Sequence, residues 1–126
     1  MDVDDLKNHD SLDRSLEKAL TNQLIDRYFD HTESWLRAIL RKCIFSLAHL
    51  DGQTVFLIEC PNLAVAKRLS RKTYPFLWFA DHFSHFNSGR VLVCYLDRDE
   101  NWQCYDSDQK LWTYLNQFDS SYTTDG

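Results

Sequence analysis

The sequence predicts an α/β (α+β) domain with one three- to four-stranded sheet covered mainly on one face by helices, in the order α-α-β-β-α-β, followed by a short strand and a final helix. Three observations carry this expectation. Residues 43–50 and 53–60 are apolar runs separated by Asp51-Gly52, a pair suited to the positive φ angles of a type I′ hairpin turn. Pro61-Asn62 then stops the second run, and the Asn62 side-chain oxygen can accept from the exposed amides of a helix over 63–74. After Asn87-Ser88-Gly89, the run Arg90-Val91-Leu92-Val93-Cys94-Tyr95-Leu96 reads as a buried strand.

The other elements follow in chain order. Residues 1–9 lack apolar periodicity and are expected as a flexible tail, with 10–118 forming a single globular domain and 119–126 a second tail. From Ser11, a candidate N-cap, Leu12, Leu16, Leu20, Leu24 and Tyr28 recur every four residues, and Ala19 and Ile25 widen the stripe into one helix face. Asp30-His31-Thr32 interrupts that pattern. Thr32 is expected to cap a second helix that turns Trp35, Leu36, Ile39, Leu40 and Cys43 inward and Arg37, Arg41 and Lys42 outward. In the third helix Leu63, Val65, Ala66 and Leu69 are expected inside, leaving Lys67, Arg68, Arg71 and Lys72 on the surface as i, i+4 pairs. Pro75 breaks the pattern, and 76–83 resumes as a turn or two of helix so rich in aromatic rings that one or two between 76 and 86 are expected to remain exposed. Residues 97–101 form a polar turn, 102–105 a short edge strand, and Ser107 caps a last helix with Leu111, Trp112, Leu115 and Phe118 on one face.

Composition narrows the function classes. At 126 residues, 44% hydrophobic and 14% aromatic, the chain can bury a core and is unlike a disordered polymer. No apolar run approaches the roughly 20 residues that span a bilayer, and the acidic start Met1-Asp2-Val3-Asp4-Asp5 is unlike a secretory leader, so no membrane partner and a cytoplasmic location are expected. Cys43, Cys60, Cys94 and Cys104 lie in or beside strands and are expected as reduced, buried thiols. There is no C-x-x-C pair to join His82-x-x-His85, so no metal site is expected. Glycine occurs only at 52, 89 and 126, which removes a Walker loop, a G-x-G-x-x-G fingerprint and a GXXG nucleic-acid clamp. His49 beside the turn and His82 beside Asp81 are acid–base types, but neither has a nucleophile or partner nearby in sequence. No catalytic residue, cofactor or small-molecule substrate is expected.

Charge is the remaining clue. The net value is −5, yet residues 33–90 carry eight Lys/Arg against four Asp/Glu while both ends are acidic. Arg37, Arg41, Lys67, Arg68, Arg71, Lys72 and Trp78 are therefore the candidate partner contacts. Two readings stand: a non-catalytic protein-interaction or adaptor module, and a single-stranded nucleic-acid binder that holds phosphates on the basic third helix and stacks a base on Trp78 or Trp102.

The run Asp51-Gly-Gln-Thr-Val-Phe-Leu-Ile-Glu-Cys-Pro-Asn62, followed by a helix with Lys/Arg near its end and then a strand, resembles the N-terminal interaction domain of the replication initiator DnaA. It is also similar to the C-terminal domain of the clamp-loader tau subunit and to the DciA helicase-loader family. The resemblance covers roughly residues 10–96 and implies a small KH-like adaptor domain serving DNA replication or another nucleic-acid machine. Ala64 stands where the DnaA family commonly has an aromatic partner-binding residue, and the stretch 102–118 lies beyond the last family strand, which implies a rebuilt partner surface.

Overall fold

The computed structural model describes residues 3–83 and 90–117. The fold is α+β. Helices α1 (Val3–Tyr28) and α2 (Ser34–Leu40) lead to strands β1 (Ile44–Leu50) and β2 (Gln53–Cys60), then α3 (Leu63–Ser70), α4 (Tyr74–Phe83), β3 (Val91–Leu96), β4 (Trp102–Asp106) and β5 (Leu111–Tyr114), and a 3₁₀ turn over Leu115–Gln117. The chain forms two compact units, Met1–Phe45 and Ser46–Gly126.

In the first unit, α1 starts at Val3, ahead of the Ser11 start expected from sequence. Its buried face is also rotated from the expected one. Thr21, Ile25 and Phe29 are buried, whereas Leu16 and Leu20 are 56% and 57% exposed. Both stripes repeat every four residues, so spacing alone could not choose between them. What distinguishes the buried stripe is its partners: Phe29 meets Phe45 edge to face with ring centroids 6.0 Å apart, and the Thr21 hydroxyl accepts from the Phe45 amide at 2.8 Å. The same hydroxyl donates to the Glu17 carbonyl at 2.7 Å, so it is used in both directions. Thr32 does not cap α2. Its hydroxyl donates back to the Phe29 carbonyl, and the N-cap position falls on Glu33 without a side-chain cap. At the other end of α2, where carbonyls lack helical partners, the Lys18 ammonium donates to the carbonyls of Arg41 and Cys43. Burial pushes the Lys18 pKa down from its ordinary value.

The second unit is built on the sheet, whose strands lie in the order β1-β2-β3-β4-β5. Asp51 and Gly52 have φ of 53° and 75°, as the expected hairpin turn requires. The Asn62 side chain accepts from the Val65 amide at 2.9 Å and caps α3 as expected. The connection through α3 and α4 makes β3 parallel to β2, with Ile58 opposite Val93. β4 and β5 then add antiparallel, so the sheet has five strands rather than three or four, and β4 is internal rather than an edge. The expected last helix is strand β5 followed by the 3₁₀ turn. Asp106 pairs with Leu111 across a four-residue turn, Lys110 takes φ of 58°, and the aromatic and β-branched run Trp112-Thr113-Tyr114 suits the pleat. Phe118 and the expected tail 119–126 lie outside the described residues.

α3 ends at Ser70, short of the expected Tyr74, and α4 begins separately. Pro75 sits in the first turn of α4, where its missing N–H would have no helical acceptor. Both helices pack on the same two strands, β2 and β3. Phe79 of α4 meets Phe56 with ring centroids 5.0 Å apart, which identifies the Phe56, Ile58, Val91 and Val93 side of the sheet as the helix-covered one. On the opposite side Leu50, Val55, Leu92, Cys94 and Cys104 form a buried cluster, with Ala48, Leu57, Trp102 and Leu115 packed against it. Cys94 and Cys104 face each other across β3 and β4, and burial drives the Cys94 thiol pKa upward. All four cysteines are buried thiols, as expected. No helix among the described residues is long and apolar enough to cross a membrane.

Candidate docking groove beside helix α4

Helix α4 has two working faces. Phe76, Phe79 and Ala80 are buried, which is the i, i+3, i+4 stripe that packs on the sheet. Tyr74, Leu77, Trp78 and Asp81 form the i, i+3, i+4, i+7 stripe on another side, and they line an open groove of about 510 Å³ together with Ser107 and Asp108 of the β4–β5 turn. Tyr74 is 78% and Trp78 54% exposed, so two large rings one helical turn apart remain in solvent. This fits the expectation of an exposed ring in the aromatic segment. The side chains of Phe83 and Phe86, which the same expectation covered, lie outside the described residues, as does that of His82.

The turn forming the second wall is held by a buried ionic network. Arg90 donates Nε to Asp106 Oδ1 at 3.2 Å and Nη2 to Asp106 Oδ2 at 2.7 Å, a two-pronged pair between nearly and fully buried groups. Nη1 also donates to Gln53 Oε1 at 3.1 Å and lies 3.6 Å from Asp51 Oδ2. The hydrogen bond to the Asp106 carboxylate raises the Arg90 pKa above its ordinary value, so the guanidinium is a permanent cation. Asp106 Oδ1 further accepts from the Asp108 amide at 3.0 Å, and the Asp106 carbonyl accepts from the Lys110 amide at 2.7 Å. Ser107, expected as a helix cap, is instead a buried β3 partner. Its hydroxyl accepts from the Val91 amide at 2.9 Å and its amide donates to the Val91 carbonyl at 3.0 Å. One anchored strand end thus presents Ser107 and Asp108 to the groove in a set position.

The other sequence-derived candidates are placed differently. Arg37 and Arg41 belong to the first unit and are engaged there: Arg37 Nη1 donates to the carbonyls of Asp30, at 2.8 Å, and Thr32, and Arg41 pairs with Asp26. Arg37 is half-buried, against the outward position expected of it. Lys67 and Arg68 are exposed on α3 and Arg71 is exposed at its C-cap, but Lys72 is half-buried beyond the helix end, so the expected 68/72 pair does not lie along one helix. Leu63, expected inside, is 39% exposed. Trp102, the alternative stacking ring, is half-buried against the Leu50–Cys104 cluster. His49 is exposed on β1. Sequence reading singled out Trp78 but missed Tyr74, Leu77, Asp81, Ser107 and Asp108. The 74/77/78/81 spacing was available as a signal; the turn residues, some thirty positions away, had none.

The class defined by these features is an α+β protein with a five-stranded mixed sheet and an aromatic, acid-rimmed groove beside α4. Comparison with known proteins found no matching family model, no similar curated protein and no similar solved structure.

Proposed function

We propose that this chain is a non-catalytic protein-interaction module, an adaptor that receives a protein partner on the groove between α4 and the β4–β5 turn. The observation carrying this reading is the second stripe of α4. Tyr74 and Trp78 stay exposed although Phe76, Phe79 and Ala80 on the opposite stripe of the same helix are buried, and exposed aromatic residues in a concave setting are the usual anchors of protein interfaces. The resemblance of residues 51–62 to replication adaptor domains supports a setting in DNA replication or another nucleic-acid machine in the cytoplasm. The test is co-purification from the native host with the parent chain and with Tyr74→Ala and Trp78→Ala variants. A partner retained by the parent and lost from both variants supports the module. Equal recovery with all three chains removes the groove from the interaction.

The exposed cations Lys67 and Arg68 on α3 and Arg71 at its C-cap favour a second reading, binding of single-stranded nucleic acid. Against it, the exposed tryptophan expected to stack a base, Trp78, shares its groove with Asp81 and Asp108, whose carboxylates repel phosphate. Titration with single-stranded DNA and RNA at two salt concentrations separates the two readings. Micromolar, salt-sensitive binding that is weakened by changing Lys67, Arg68, Arg71 and Lys72 together to Gln establishes the second.

A further inference from the structure

We propose that the groove beside α4 takes a cationic side chain, specifically an arginine presented by an apolar segment of the partner; this rests on the interaction-module reading and adds the chemistry of the occupant. The argument is charge and shape complementarity. The groove's apolar lining is Tyr74, Leu77 and Trp78, and its charged lining is Asp81 from α4 and Asp108 from the turn. Among the described residues no lining residue is cationic and neither carboxylate makes a close ion pair, although Asp108 lies near enough to Arg90 to add to the field that keeps its guanidinium charged. A guanidinium suits both components at once. Its flat face stacks on an indole or phenol ring, and its edge donates in a fork to a carboxylate. An anionic occupant would be repelled by both carboxylates, and a purely apolar one would desolvate them with no new partner in exchange.

The two walls also meet the need for a prepared site. Trp78 and Asp81 are three residues apart on one helix, and the Asp108 backbone is held by the hydrogen bond that its amide donates to Asp106 Oδ1, Asp106 itself being locked by Arg90. The backbone that carries these side chains is thus set before binding, which favours recognition of a single side chain from a short segment.

The experiment uses the whole chain, isotope-labelled for amide and indole resonances, titrated with the capped peptide Leu-Arg-Leu and its Lys, Gln and Glu counterparts. The expected result is saturable movement of the Trp78 indole and the Ser107 and Asp108 amides with the Arg peptide. The Gln and Glu peptides should bind at least about tenfold more weakly, a difference of about 1.4 kcal/mol. Asp81→Asn with Asp108→Asn should abolish the preference for Arg over Gln, while an unchanged spectrum elsewhere reports an intact fold. Equal response to Arg and Gln peptides, a preference that survives the double Asn variant, or movement of resonances away from the groove overturns the proposal. Host-partner capture that depends on Trp78 but not on Asp81 and Asp108 sinks the arginine specificity and leaves the module standing. Loss of Trp78-dependent capture altogether sinks both.

Discussion

At the scale of single residues, a few polar groups that are buried with their partners are the most sensitive points. Asp106 is fully buried against Arg90, and replacing it by Asn leaves a permanent cation with weaker compensation from Gln53 and Asp51. Asp106→Asn is expected to cost about 3 kcal/mol in urea unfolding, because an orphaned buried charge is penalised more than the intact pair stabilises. Adding Arg90→Met should recover part of that loss. Thr21→Val removes the hydroxyl that accepts from the Phe45 amide, and about 1–3 kcal/mol should be lost by the same measurement, with Thr21→Ser close to the parent. Asp97 gives a pH signature. The Gln103 side-chain amide and the backbone amides of Asn101 and Asp99 hold its carboxyl below the ordinary value. The unfolded chain then binds the proton more readily than the folded one. The resulting stabilisation is complete above the unfolded carboxylate pKa of about 3.9 and is lost as pH falls through the lower folded value. Asp97→Asn should therefore lower the urea midpoint at neutral pH, and its deficit should shrink at pH values below the folded pKa; an equal deficit at both would show that the charge plays no part.

At the scale of elements, local chemistry explains the turns and caps that the sequence announced. The Asp51-Gly52 hairpin formed because both positions need positive φ, which Asp tolerates and Gly adopts without steric cost. A methyl group added at Gly52 would meet nothing within 4 Å, so Gly52→Ala isolates backbone strain. It should cost about 1–2 kcal/mol in thermal or urea unfolding. Asn62→Ala should cost about 1 kcal/mol through loss of the bond to the Val65 amide, with Asn62→Asp or Ser near neutral. The 111–118 segment went the other way. Its apolar spacing reads as one helical face, but a strand forms because β4, paired to β3 on one side, offers its other edge and the turn anchored at Asp106 returns the chain onto it.

At the scale of the molecule, the two charged surfaces of the second unit differ in sign. The C-terminal end of α3 and its cap present Lys67, Arg68 and Arg71, while the groove beside α4 carries Asp81 and Asp108. A partner that uses the groove through a cation is steered by the second and repelled by the first, so its association should respond to salt. Changing Lys67 and Arg71 to Gln should then leave the affinity for the groove unchanged or raise it, measured by the same peptide titration. A fall would implicate α3 in the contact.

Much of the architecture was legible in the chain because it depends on neighbours in sequence. The hairpin turn, the Asn62 cap, the apolar β3 run and the buried thiols each follow from steric or solvation preferences acting over a few residues. An exposed ring near Trp78 followed from having more aromatic surface than one short helix can bury. Only the folded structure decided which stripe of α1 is buried, that 111–114 is a strand, and that Arg90 meets Asp106 at a separation of 16 residues. Those outcomes rest on which segments pair across the chain, and a repeat of four residues or a lone charge reads the same whichever partner it finds. The groove has the same origin: its aromatic wall is a periodicity within α4, but its second carboxylate arrives on a turn that the sheet's pairing carries there.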